Sequence, residues 1–294
     1  MVGNLVFAMV ASLSPLGTSE SAATECRPPK DSAESKLLAF FAAPIAFSPA
    51  GHAGPLTPGA IRLSFDLTYV PQPDPSIRRS TFCQRKGEST DLASVFPRPR
   101  LAIGLPGGFF LEGSYLPPVT VMDATPNLGS LALGWSRPFG SNSEEGGGGR
   151  WLTLRAHATF GKVDGSITCA RDVLQPTNAA LACYGERPSE DTYEPNMLGA
   201  EGIYGFSVSP RLTAYLGAGY TALRPRFQVG FTSLDGVLDD TRVLVNLSRV
   251  AAFTGGSFDL GRGAALTAEL YSVPQDVTTF RVGGSLTLRG GAAR

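Results

Sequence analysis

Histidine and cysteine are scarce in this chain of 294 residues, with two of the former and four of the latter. His52 sits alone in a Pro/Gly stretch, and neither histidine keeps the company a metal centre needs. Cys26, Cys83, Cys169 and Cys183 lack the close paired spacing of a structural zinc site. No metal and no cofactor is therefore expected. Excess charge is also missing: Lys plus Arg equals Asp plus Glu at 25 each, so there is no basic field to attract nucleic acid. No stretch reaches the roughly 18 uninterrupted apolar residues of a membrane-crossing helix. The run "EEGGGGR" lacks the Gly-x-x-x-x-Gly-Lys order of a phosphate loop, and "DGVLDD", Asp235 to Asp240, has too few carboxylates for a calcium loop and reads as an exposed turn.

What is abundant points to strands. Thirty-five glycines, 23 prolines and only 17% charged residues beside 43% hydrophobic ones describe a chain poor in helix-forming runs and rich in turns. The opening residues hold an apolar run from Leu5 to Leu16 and small residues at Ser21 to Ala23, so residues 1–23 read as a secretory signal without a basic leader. Glu25 before Cys26 argues against a lipoprotein signal. Residues 24–59 are punctuated by Pro44, Pro49, Gly51, Gly54, Pro55, Pro58 and Gly59. They read as an irregular segment, with a brief helix near Leu37 to Ala43, that packs under or into the main fold.

From residue 60 to 289 the pattern is two-residue alternation. "AIRLSFDLTYV" sets Ile61, Leu63, Phe65, Leu67 and Tyr69 against Arg62, Ser64, Asp66 and Thr68. "RWLTLRAHATFGK" does the same with Leu152, Leu154, Ala156, Ala158 and Phe160. Ten strands are expected, at about 60–70, 100–106, 109–117, 128–137, 151–162, 196–208, 211–223, 239–252, 263–272 and 277–289, with a tail at 290–294. Most long connections fall at one end and the tightest turns, at Pro106 and Pro210, at the other. Such asymmetry predicts an all-β fold closed as an antiparallel transmembrane β-barrel of about ten strands, within a range of 8 to 12, with long loops on one side. A soluble all-β binding module with two stacked sheets, periplasmic or secreted, is the alternative.

Strand parity nominates the residues that face the barrel axis: Arg62, Arg155 and Arg281 against Asp66, Glu201 and Glu269, with His157 among them. They are expected to form a charge network in the lumen, with Gly199, Gly217, Gly219, Gly283 and Ser285 leaving room for arginine side chains. His157 with Asp164 and Ser166 raises a hydrolase arrangement that no spacing enforces, so no catalytic residue is assigned. Trp135, Trp151, Tyr69, Tyr115, Tyr193, Tyr220 and Tyr271 fall near strand ends, where amphipathic rings favour the headgroup zone. Export permits two disulfides: Cys169 with Cys183 across a short loop and, by elimination, Cys26 with Cys83.

With segments such as "RLTAYLGAGYTAL" and "VTTFRVGGSLTL", residues 60–289 resemble the outer-membrane β-barrel superfamily of diderm bacteria. The resemblance implies an outer-membrane location, membrane lipids and small solutes as partners, and a role as structural envelope component or narrow passive pore. A lipid-modifying hydrolase is a less favoured implication.

Overall fold

The computed structural model describes residues 24–51, 53–78, 82–83, 95–121, 123–139 and 149–288. The expected signal, the turn at His52, most of the glycine-rich connection and the tail at 290–294 lie outside the described residues. Ten long strands build the molecule: β1 (Ile61–Tyr69), β2 (Val95–Gly104), β3 (Phe109–Leu116), β4 (Ala124–Phe139), β5 (Arg150–Gly165), β6 (Met197–Ser209), β7 (Leu212–Leu223), β8 (Leu247–Gly261), β9 (Ala264–Val273) and β10 (Val277–Leu288). Each pairs antiparallel with its neighbours in sequence, and β10 returns to β1 in a register from Phe280 opposite Tyr69 to Leu288 opposite Ile61. The β5–β6 pairing runs from Arg150 opposite Phe206 to Thr159 opposite Met197, so the ten-stranded ladder is closed. Closure leaves no pair of stacked sheets, which overturns the sandwich alternative.

The two faces of the wall are inverted relative to a protein that folds in water. Outward residues are large and apolar, with Leu63 at 47%, Leu131 at 50%, Leu198 at 63% and Leu216 at 55% exposure, whereas Arg98, Arg155 and Arg281 face the axis at 1–3%. Exposed apolar surface on this scale has no favourable partner in water and a matched one in hydrocarbon. Strands also satisfy every backbone group in such a medium once the ladder closes. No helix among the described residues is long and apolar enough to cross a membrane.

Short connections lie at one end, including Pro106–Gly108, Pro210–Arg211 and Arg262–Gly263, together with the start of β1 and the end of β10. Long ones crowd the other. There the top of β5 leaves the barrel ladder and continues through Asp191–Glu194, Arg226–Gln228 and Arg242–Leu244 to a parallel pairing with Glu25–Cys26. Under this rim sheet lies helix α1 (Ala33–Ile45), started by the Ser32 side chain accepting from the Ser35 N–H at 3.2 Å. Leu38, Ala42 and Ile45 of α1 pack with Tyr193, Phe227, Val243 and Val245 as a second apolar core over the barrel mouth. The disulfides Cys26–Cys83 and Cys169–Cys183 tie this end.

Three expectations need correction. The eighth strand is not 239–252: residues 242–244 belong to the rim sheet, and β8 runs through Gly255 and Gly256 to Gly261. That glycine pair reads as a turn, but at Gly255 a side chain would collide with the Tyr215 ring inside the barrel. β2 begins at Val95 rather than 100, because Pro97 and Pro99 are paired only with β1, leaving their other edge free of a ladder that would need an N–H. Of the aromatics assigned to the headgroup zone, Tyr69, Tyr115 and Tyr220 point outward at 54–56% exposure, but Trp151 and Tyr271 face the lumen and Tyr193 is buried in the rim core. Their parity matches the inward set, and their polar atoms or ring faces meet partners there.

Candidate functional site

The barrel axis is not empty. After α1, the chain runs down the lumen from the long-loop end and emerges at the short-turn end, where Ala60 and Gly104 exchange backbone contact before β1. An extended segment within a barrel has no ladder of its own, yet each buried carbonyl needs a donor. α1 ends at Ile45, and Pro49, which would have to donate to the Ile45 carbonyl if the helix continued, has no N–H.

Arginines from the wall meet this need. Arg281 donates to the Pro44 carbonyl at 3.3 Å, Arg98 to Ile45 at 2.6 Å and Ala46 at 3.0 Å, Arg155 to Phe47, and Arg100 to Ser48 at 2.6 Å. Five consecutive carbonyls are thus held by four guanidinium groups from β2, β5 and β10. The planar five-donor fork lets Arg100, Arg155 and Arg281 bond the segment and a carboxylate together, while Arg98 spends its fork on two carbonyls. The Phe47 ring is wholly buried, with guanidinium carbons of Arg100, Arg155 and Arg98 at 4.6, 4.9 and 5.5 Å from its centroid.

Acidic residues complete the network. Glu112 accepts from Arg100 at 3.1 Å and Arg155 at 2.8 Å, Glu201 from Arg155 at 2.6 Å, and Asp66 from Arg100. Glu269 takes four donors: Ser48 Oγ, the Ala50 N–H at 2.9 Å, the Tyr215 hydroxyl at 2.6 Å and Arg281 at 3.4 Å. The chain then turns at Gly51, whose φ of +95° belongs to the left-handed region and whose N–H donates to Tyr215 at 2.7 Å. Lower down, the Ala53 carbonyl accepts from Trp151 Nε1 at 3.0 Å and Thr153 Oγ1 at 2.6 Å. A vestibule of about 370 Å³ opens at the short-turn end and stops at Gly51, Ala53 and Tyr215.

Among the residues nominated by parity, Asp66, Arg155, Glu201, Glu269 and Arg281 meet in this network. Arg62 faces inward nearer the short-turn end and donates to Thr287 at 3.3 Å. His157 lies 3.9 Å from Glu201, with its Nδ1 bonded to no group and no hydroxyl paired with it among the described residues. Asp164 is engaged elsewhere, accepting from Thr192 at 2.7 Å and facing Lys162. Arg98, Arg100 and Glu112 were missed. Their signal was there: extending β2 upward puts Arg98 and Arg100 on the parity of Ala102, and an unbulged β3 puts Glu112 with Phe110. The inward glycines do not make room for arginines: Gly217 lies beneath the Phe253 ring and Gly199 beneath His157, while Gly219 and Gly283 abut the neighbouring strand at Glu201 and Asp66.

No protein-family model matches the chain, and neither does any curated protein sequence. Among solved structures, Ail, the attachment invasion locus protein of Yersinia pestis, is 8% identical over 79% of this chain and all of its own, with a TM-score of 0.32. The translocator domain of the autotransporter NalP from Neisseria meningitidis is 11% identical over 81% of this chain and 90% of its own, at 0.31, and the KdgM porin 10% over 78% and 99%, at 0.27. With scores this low, the architecture rests on this chain's own ladder and burial pattern: a closed, ten-stranded transmembrane β-barrel with an N-terminal segment through its lumen.

Proposed function

We propose that the protein is a structural component of the outer membrane of a diderm bacterium, a barrel plugged by residues 46–60 that conducts no steady flow of solute. The observation that carries this reading is the clamp on five consecutive carbonyls, Pro44 to Ser48, by four wall arginines. A solute path would have to displace all of them. Long connections outward and short turns toward the periplasm follow the usual disposition of such barrels. In that orientation the rim sheet faces the cell surface and covers α1, with the surrounding lipids as partners. No catalytic role is proposed, since His157 is packed against the network without a nucleophile.

Purified protein in a planar bilayer at neutral pH is expected to give a quiet baseline, while migrating differently on gels with and without heating. Steady unitary currents from the unaltered chain would move the reading to a narrow passive pore. Ready solubility without detergent would remove it from the membrane altogether.

A further inference from the structure

One feature of the rim plays no part in the plug. At the long-loop end, outside the barrel wall, a cleft of about 540 Å³ is bordered by Arg27, Lys30, Arg224, Arg226 and Arg242, with Glu25 the sole carboxylate on its lining. In a chain whose formal charges cancel, five cations around one acid is a strong local bias. Glu25 pairs with Arg27 at 3.6 Å, and among the described residues no carboxylate pairs with Lys30, Arg224, Arg226 or Arg242. The cleft is built rather than incidental. Parallel pairing of Glu25–Cys26 with Arg242–Val243 and the Cys26–Cys83 disulfide fix the N-terminal side, and the ladder of Arg226–Gln228 with Arg242–Leu244 fixes the other.

Its floor identifies the setting. Tyr220, Ala222 and Ser248 line it, and these are outward positions at the tops of β7 and β8. Directly below, on the same outer face, stand Val250 opposite Tyr220 and Leu198 opposite Ala222, at 59% and 63% exposure. The cations therefore sit where the apolar wall ends, at the level of headgroups, with hydrocarbon-facing side chains beneath them.

We propose that this cleft seats the phosphorylated headgroup of a bilayer lipid, its phosphates held by Arg224, Arg226, Arg242 and Lys30 while its acyl chains lie along Leu198, Tyr220 and Val250. Arginine forks match phosphate oxygens in bidentate geometry, and basic residues at a membrane surface attract anionic lipid at about a factor of five each. Continuity with the apolar wall selects a lipid over a free anion. The proposal rests on the reading that the strands cross a bilayer.

Native mass spectrometry of the full mature chain in maltoside micelles tests it, with three probes: a diphosphorylated glucosamine-disaccharide lipid, the same lipid without phosphates, and inorganic pyrophosphate. The diphosphorylated lipid is expected to be retained one per protein, the dephosphorylated lipid and pyrophosphate at least tenfold more weakly. The double variant Arg224→Gln/Arg226→Gln, both exposed, is expected to lose roughly 30-fold in affinity, two cations at about a factor of five each. Arg171→Gln, on a different loop, should lose nothing. Equal retention by parent and double variant, both still heat-modifiable on gels, overturns the site. Pyrophosphate bound as tightly as the lipid also overturns it, in favour of a free-anion site. A chain that stays soluble without detergent instead brings down the bilayer reading itself, a result separate from either.

Discussion

Truncating Phe47 to alanine should loosen the plug while leaving the wall intact. The ring is fully buried between Arg100, Arg155 and Arg98, so its removal costs both apolar burial and three cation–ring contacts. Buried Phe→Ala changes cost about 3–5 kcal/mol when the hole stays dry. Here the hole is lined by guanidinium groups and admits water, which moves the expectation to the lower end, about 3 kcal/mol. Because none of this loss falls on strand pairing, it acts on the balance between seated and displaced segment. At 1.36 kcal/mol per decade, a shift of about 3 kcal/mol raises the displaced population roughly a hundredfold.

The assay is single-channel recording in planar bilayers, with gel migration before and after heating as the check on the wall. Phe47→Ala is expected to show intermittent openings absent from the parent, at unchanged heat-modifiable migration. Phe47→Leu keeps much of the volume but lacks the ring's negative face, and should fall between the two. A Phe47→Ala protein as quiet as the parent, with the same unfolding midpoint, would refute the argument that this ring and its arginines hold the segment in place.

Three further outcomes follow from the same packing. Gly51→Ala should destabilise by roughly 1–3 kcal/mol through the left-handed φ alone, and by more because its Cβ would lie 2.3 Å from Thr267 Cβ; a thermal midpoint at or above the parent's contradicts this. Replacing Cys26 and Cys83 together by serine removes a cross-link spanning 57 residues and should lower stability by about 2–4 kcal/mol, visible as a lower midpoint for the gel-shift transition under non-reducing conditions. Burial raises the Tyr193 phenol above its ordinary value, and its hydroxyl donates to the Leu38 carbonyl at 3.0 Å. Since the folded pKa is the higher one, this stabilisation is intact below the unfolded value of about 10 and declines as pH climbs beyond it. Proteolysis of the α1 region should therefore accelerate above about pH 10 in the parent, and Tyr193→Phe should flatten that rise while costing about 1 kcal/mol at neutral pH.

The strands were legible wherever alternation met a turn residue. β1, β6, β7, β9 and β10 lie within one or two residues of their expected bounds because Pro, Gly or a polar run stops each pattern cleanly. β2 and β8 were misplaced by the same rules, since proline and paired glycine usually end strands. Here Pro97 and Pro99 occupy an edge, and Gly255 yields space to Tyr215. Parity also identified most of the charged lumen. What it could not identify was the partner: alternation tells which side chains face inward, not what they meet. Residues 46–60 carry no periodicity, because their backbone is held by side chains distant in sequence, 219 residues away for Ala50 and Glu269. No local pattern encodes that pairing.

The charge of the lumen itself has a physical rationale in the strand period. With lipid outside, an apolar filling would make both faces of every strand alike, and a slip of one residue in register would cost little. Charged inward positions remove that degeneracy. Slipping β2 by one residue would send Arg98 and Arg100 into hydrocarbon at up to about 2–4 kcal/mol each, a large part of the roughly 5–15 kcal/mol that stabilises a typical fold. The choice brings a difficulty of its own, for four buried guanidinium groups offer about 20 N–H donors against about 16 lone-pair sites on Asp66, Glu112, Glu201 and Glu269, some of which Ser48, Ala50 and Tyr215 already take. A helix through the lumen would keep its carbonyls for itself. The last carbonyls of α1 and the non-helical backbone that follows, from Pro44 to Ser48, offer what the arginines lack, and so the polar wall that fixes register also favours a non-helical segment as its filling.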